Sequence, residues 1–154
     1  MTETAATETL VITRVFDAPR ELVYRAFTDP DQLAQWFGPV GFSVPRETVS
    51  VDARAGGHQR FTMVNDTDPS FTSPVDATFT EVVENELLVG YEEVQGVPGF
   101  PDGARLEVRI EFHDEGGDRT RLVLRQGPYT REVEADAREG WGSSFGKLDA
   151  LLAR

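Results

Sequence analysis

Few side chains in this chain are suited to chemistry, and their positions narrow the options further. There are two histidines, His58 and His113, and no cysteine. Without a thiol, thiolate nucleophiles, disulfides and thiolate zinc sites are excluded. An imidazole doing acid–base or metal work needs a carboxylate or a second ligand beside it. His58 shares the parity of Arg60 and Thr62, opposite Phe61 and Met63, so alternation points it outward. His113 closes a strand beside Asp114. Both are expected at the surface. Arg60 and Asp52 are expected to pair there too, on neighbouring strands. The chain has no HExxH, P-loop or GxGxxG pattern and no GxSxG elbow. Neither a metal nor another cofactor is expected. Acid–base chemistry is left to polar groups that parity turns inward: Gln59, and whichever of Tyr91 and Glu92 faces in.

The elements that must position these groups are well signalled. Thr9–Phe16 is a β-rich run ended by Asp17-Ala18-Pro19. Pro19 and Glu21 suit a first helical turn, and Leu22, Val23, Ala26 and Phe27 form one apolar stripe. A second start follows at once: Asp29 as cap, Pro30 behind it, and Gln32 at the capping-box position. Leu33, Trp36 and Phe37 are its apolar side, and Gly38-Pro39 ends it. Strands are predicted over 47–54, 58–64, 75–83, 87–94, 105–112 and 120–125. Leu106, Val108, Ile110 and Phe112 alternate with charged residues, which predicts one dry and one wet sheet face. Glu115-Gly116-Gly117-Asp118 is a hairpin turn. Residues 130–154 read as a long helix, with Val133, Ala137, Trp141, Phe145, Leu148 and Leu152 on one face.

That order, β-αα-ββββββ-α, predicts an α+β domain over 9–154 behind a disordered tail, 1–8. One antiparallel sheet has a dry face, and the long helix is the element large enough to cover it. The aromatic residues Trp36, Phe61, Phe79, Tyr91, Trp141 and Phe145 would then line one interior volume. Periodicity alone does not separate a lined cavity from a filled core. Gly140, Gly142 and Gly146 in the long helix each cost about 1 kcal/mol relative to alanine. They indicate either close approach of another backbone or room left for a ligand. The loops 65–74 and 95–103 carry Phe71, Val97 and Phe100. Strand parity places both loops at one end of the sheet, as a lid over a pocket mouth or tucked onto the core edge.

Charge limits the partners. Twenty-seven acidic against fifteen basic residues give a formal net charge of −12. Such a field repels a phosphate backbone and an anionic membrane surface, so neither nucleic acid nor membrane is an expected partner. The amino terminus lacks a basic segment and an apolar core, so it is not read as a secretory signal. No apolar run approaches the roughly 20 residues of a membrane span. The expected compartment is the cytoplasm.

The segments Phe16-Asp17-Ala18-Pro19, Phe27-Thr28-Asp29-Pro30 and Gln35-Trp36-Phe37-Gly38-Pro39 resemble the activator of Hsp90 ATPase homologue family. That family sits within the START-like, or Bet v 1-like, superfamily. Asp52, Gly56-Gly57, Phe61, Met63, Gly140-Trp141, Leu148 and Leu151 extend the likeness over residues 9 to 153. The resemblance implies a helix-grip fold, a curved sheet wrapped on a carboxy-terminal helix. It also implies a small hydrophobic ligand held between sheet and helix. The lining expected for it is Trp36, Phe37, Gln59, Phe61, Met63, Phe79, Tyr91, Trp141 and Phe145. Some superfamily members are cyclases or dehydratases, so an acid–base enzyme using Tyr91, Glu92 and Gln59 is the second expectation. The third is a protein-interaction module, co-chaperone-like or homodimeric, with Phe71 and Phe100 as contacts. The eukaryotic Hsp90 activators resemble this chain only in their carboxy-terminal half.

Overall fold

The alternation along Leu106–Phe112 becomes a sheet with its apolar side chains turned in and its charges turned out. The computed structural model describes residues 8–94 and 103–153. Residues 1–7 of the expected tail lie outside them, as do Val97 and Phe100 of the expected lid loop. The strands are β1 (Glu8–Phe16), β2 (Phe42–Ser43), β3 (Ser50–Val51), β4 (His58–Asn65), β5 (Thr72–Val83), β6 (Leu87–Val94), β7 (Ala104–Gly116) and β8 (Arg119–Tyr129). The helices are α1 (Arg20–Thr28), α2 (Pro30–Trp36) and α3 (Arg131–Leu152).

All strand pairs are antiparallel, in the order β1-β8-β7-β6-β5-β4-β2, with β3 also pairing β4. The fold is the α+β helix-grip arrangement. The chain leaves the β1 edge, passes through α1 and α2, and joins the opposite edge at β2. The expected hairpin turn joins β7 to β8. Gly117 and Asp118 at its centre have φ of 63° and 59°, the left-handed pair that a type I′ turn requires.

Glu8 of the expected tail already belongs to β1, β2 is a strand not expected, and β7 runs to Gly116 inside the expected turn; three further boundaries differ in ways that bear on the site. The strand expected over 47–54 is a 3₁₀ turn, Arg46–Thr48, followed by the two-residue β3. The Thr48 hydroxyl, not a ladder carbonyl, accepts from Thr62 N at 3.1 Å. β5 begins at Thr72, inside the expected loop, with Pro74 opposite Thr62. Proline is tolerated there because the β5–β6 ladder ends at Thr78 and Tyr91, leaving that side of β5 as an edge. β8 runs four residues past Arg125. The strand passes Gly127-Pro128 through a bulge: Glu8 and Leu10 of β1 face Tyr129 and Gln126.

The helical pair is seated by two side chains. Helix α1 ends with orphan carbonyls, as every helix does. The carbonyl of Ala26 would look to residue 30 for a donor, but Pro30 has no N–H. The indole of Trp36 supplies one, Nε1 donating to Ala26 O at 2.8 Å. Gln59 Nε2 donates to the next carbonyl, Phe27 O, at 3.1 Å. Asp29 then starts α2, its carboxylate accepting from Asp31 N and Gln32 N as expected for the cap. Around this joint the rings of Phe27, Trp36, Phe112, Phe16 and Phe145 meet at centroid distances of 4.9–6.3 Å.

Substituting Trp36→Phe leaves Ala26 O unmet in a buried site and removes ring volume. The expected loss is roughly 2–4 kcal/mol, read from urea unfolding midpoints. A loss below about 1 kcal/mol would show that the carbonyl finds another donor.

Candidate functional site

Between the inner sheet face and α3 the packing leaves a cavity of about 380 Å³. Volumes of roughly 300–1,000 Å³ are usual for small-molecule sites. Its sheet wall comes from β4 (Gln59, Phe61, Met63), β5 (Val75, Ala77), β6 (Glu92), β7 (Leu106, Val108) and β8 (Gln126, Tyr129). Its other wall is Ala137, Gly140, Trp141 and Ser144 of α3, with Phe37 and Pro39 from the end of α2. The lining is mostly apolar and aromatic, with a few polar groups set into it.

Five expected lining residues face this space: Phe37, Gln59, Phe61, Met63 and Trp141. The other four do not. Trp36, Phe79 and Phe145 are packed into the filled part of the core, at 0%, 5% and 0% exposure. Tyr91 lies on the outer face, with the guanidinium of Arg105 4.0 Å from its ring centre. The parity of β6 explains this, since Leu88 and Gly90 are buried and the inward set continues to Glu92. Glu92 is therefore the member of the Tyr91–Glu92 pair that faces in.

Tyr129 and Gln126 lie past Arg125, where the strand predicted from the sequence ends, and β8 carries both into the lining. Leu122, Leu124 and Gln126 turn inward by simple alternation, and the bulge at 127–128 restores Tyr129 to the same side. Glu92 pairs with Leu106 and Glu107 pairs with Gly127, so Glu92 and Tyr129 lie on either side of β7. Two of the polar groups are already engaged. Gln59 holds Phe27 O, and Gln126 Oε1 accepts from Trp141 Nε1 at 2.8 Å. Glu92 Oε1 accepts a long bond, 3.3 Å, from Asp76 N just beyond the end of the β5–β6 ladder.

Burial pushes the Glu92 carboxyl above the ordinary carboxylate value, the Asp76 N–H partly offsets this, and the Asp76 charge adds to it. Burial, then the Glu92 charge, pushes the Tyr129 phenol up as well, so it stays protonated at neutral pH. The histidines are outside the site. His58 bonds Ser50 Oγ at 2.7 Å and His113 bonds Glu111 at 2.9 Å. Among the described residues no group of three metal-ligating side chains occurs. Arg60 pairs with Asp76, its register partner, and Asp52 with Arg54, so the expected Arg60–Asp52 pair is not formed. Phe71 is exposed and touches Phe42 edge-on, outside the cavity lining.

The glycines of α3 separate by face. No backbone approaches them: a Cβ added at 140, 142 or 146 meets nothing within 4 Å. Gly140 faces the cavity, whereas Gly142 and Gly146 are exposed. Ser143 and Lys147 on the same helix tie it to the segment after α2, through Val40 N to Ser143 Oγ at 2.8 Å and Lys147 Nζ to Phe42 O at 3.0 Å.

A sheet that grips one long helix, with a helical pair at its end and space kept between the layers, defines a helix-grip protein. Residues 17–153 match the family described as Activator of Hsp90 ATPase homolog 1-like protein, and the chain belongs to that family. Protein CV1439 of Chromobacterium violaceum has a similar structure, with 26% identity, 95% of this chain and 97% of that chain covered, and a TM-score of 0.81. Protein NE0264 of Nitrosomonas europaea is similar at 25% identity, 94% of each chain covered and a TM-score of 0.78. The AHSA1 protein of Silicibacter pomeroyi is similar at 26% identity, with 95% and 98% covered and a TM-score of 0.76. No curated protein matches the chain at a significant level. No helix among the described residues is long and apolar enough to cross a membrane.

Two predictions follow from this geometry. Folding raises the Glu92 pKa, so the folded chain binds the extra proton more tightly and stability falls as pH rises above the unfolded value. Glu92→Gln removes that dependence. Its melting temperature should exceed that of the parent at pH 8, with the gap shrinking as pH falls towards 4. A gap that is independent of pH would refute the burial of this carboxyl. Gly142→Ala and Gly146→Ala should each stabilise by roughly 0.5–1 kcal/mol in denaturant unfolding, because nothing crowds the added methyl.

Proposed function

We propose that this protein binds a small hydrophobic molecule between the sheet and α3. The observation that carries this is a mostly apolar pocket of about 380 Å³ between the sheet and α3, open to solvent on one side and faced by Gly140. A core selected only for stability would cover this apolar surface, since leaving it open to water forgoes its burial. Phe37, Phe61, Met63 and Trp141 supply apolar surface to the ligand, and Glu92, Gln126 and Tyr129 orient it. The family match and the similar solved structures support the same layered architecture.

A second reading is favoured by one feature, the Glu92 carboxyl and the Tyr129 phenol on the same wall. These are groups that could exchange a proton with a bound substrate in a cyclase- or dehydratase-type reaction. It differs from pure binding in predicting that a captured ligand is changed on incubation, with the change lost in Glu92→Gln. The interaction-module and homodimer readings have Phe71 as their remaining described contact.

Binding is tested with the neutral fluorophore N-phenyl-1-naphthylamine. Its emission should rise saturably on titration, with one site per chain. Gly140→Leu projects a side chain into the space while improving helix propensity. It should weaken the probe by at least about tenfold without lowering the melting temperature. Absence of saturable emission with the parent protein would refute the ligand-site reading.

A further inference from the structure

The cavity is electrostatically one-sided. Among the described residues lining it, Glu92 is the sole carboxyl, and there is no Lys, Arg or His. Residues 95–102, which connect β6 to β7, contain no basic residue either. The amides bring donors but no positive charge: Gln59 spends one N–H on Phe27 O, and Gln126 accepts the Trp141 indole through its carbonyl oxygen. The Glu92 carboxyl accepts its 3.3 Å bond from Asp76 N and faces the space with the rest of its acceptor capacity. The Asp76 carboxylate is taken by Arg60 on the outer face, at 3.1 Å.

From this juxtaposition we infer that the ligand is a lipophilic amine, held with its ammonium on Glu92 and its apolar body against Phe37, Phe61 and Trp141. The inference rests on the cavity being a ligand site. An ammonium supplies the counter-charge that this half-buried carboxylate lacks, and its N–H groups match the open lone pairs. Trp141, Phe37 and Tyr129 add aromatic rings to the same lining, a composition that suits a cationic ligand. At long range the net charge of −12 concentrates cations near the chain and repels anions. An anionic amphiphile of the same length, such as a fatty acid, would meet Glu92 with no cation in the described lining to receive it. The raised pKa of Glu92 agrees with this geometry, since it marks a carboxyl without a cationic partner.

The test uses three probes with one alkyl body: decylamine, 1-decanol and decanoate. Each competes with N-phenyl-1-naphthylamine on the full chain at neutral pH and physiological salt, where surface charge is largely screened. Decylamine should displace the fluorophore at a concentration at least about tenfold lower than decanol, and decanoate should be weakest. In Glu92→Gln the amine-to-alcohol ratio should fall to near one. Decanoate binding as well as the amine would overturn the inference. So would equal binding of amine and alcohol to the parent protein, or a preference that survives in Glu92→Gln. If none of the three displaces the fluorophore, the ligand-site reading itself fails. Displacement by decanol with no amine preference removes this inference alone.

Discussion

The hydrogen bond from the Trp36 indole to Ala26 O sets the geometry of the amino-terminal third of the chain. It exists because Pro30 gives α2 its start and in doing so denies α1 its last donor. A buried carbonyl without a partner costs about 1–3 kcal/mol, so the side chain that satisfies it is fixed in position and rotamer. Trp36 is fully buried. Gln59 does the same for Phe27 O from the sheet side, which fastens the helical pair to β4. These two bonds join the end of α1 to α2 and to the sheet.

That seating divides the interior. Trp36 turns down against Phe27 and Phe145, and the chain leaves helical geometry at Phe37, with ψ of 146°. Phe37 therefore points the other way, touching Phe61 at 4.5 Å and Trp141 at 5.4 Å. One part of the interior is a filled aromatic core, and the other is the open space bounded by Phe37. Helix α3 spans both. Phe145 and Leu148 are fully buried over the filled part. Ala137 and Gly140, one turn or two earlier, are too small to close the open part. Trp141 stands at the border, its ring tilted against Phe145 at 5.5 Å and its indole bonded to Gln126.

Signals that act over a few residues were legible in the sequence. The cap at Asp29, the alternation from Leu106 to Phe112 and the stripe from Val133 to Leu152 each report a local rule, and together they define the layers. What was not legible depends on a partner strand. Pro74 reads as a loop residue unless one knows that the β5–β6 ladder has already ended beside it. The predicted strand ends at Arg125, and the bulge that carries β8 on to Tyr129 is visible only in register with β1. The candidate site fell between these cases. Gln59, Phe61 and Met63 followed from strand parity, and Trp141 from helical periodicity. Trp36 and Phe145 share the same patterns with the lining residues, because periodicity assigns a face and not the packing density behind it. Parity on β6 left Tyr91 and Glu92 open, and the buried Leu88–Gly90 series decides for Glu92.

Glu92 is the residue in this interior that stability does not explain. It sits where the β5–β6 ladder stops and accepts from the backbone N–H of Asp76 that the ladder leaves over. A glutamine would accept the same bond through its amide oxygen and bring no charge into the interior. A leucine would suit the neighbouring Leu106 and leave the exposed Asp76 N–H to water. The carboxyl instead carries a desolvation cost, raised further by Asp76, and its own charge in turn raises the phenol of Tyr129. Costs of this kind persist at sites where the charged or protonatable form is used. The fold accommodates that cost by placing the carboxyl at the edge of a space rather than within the packed core.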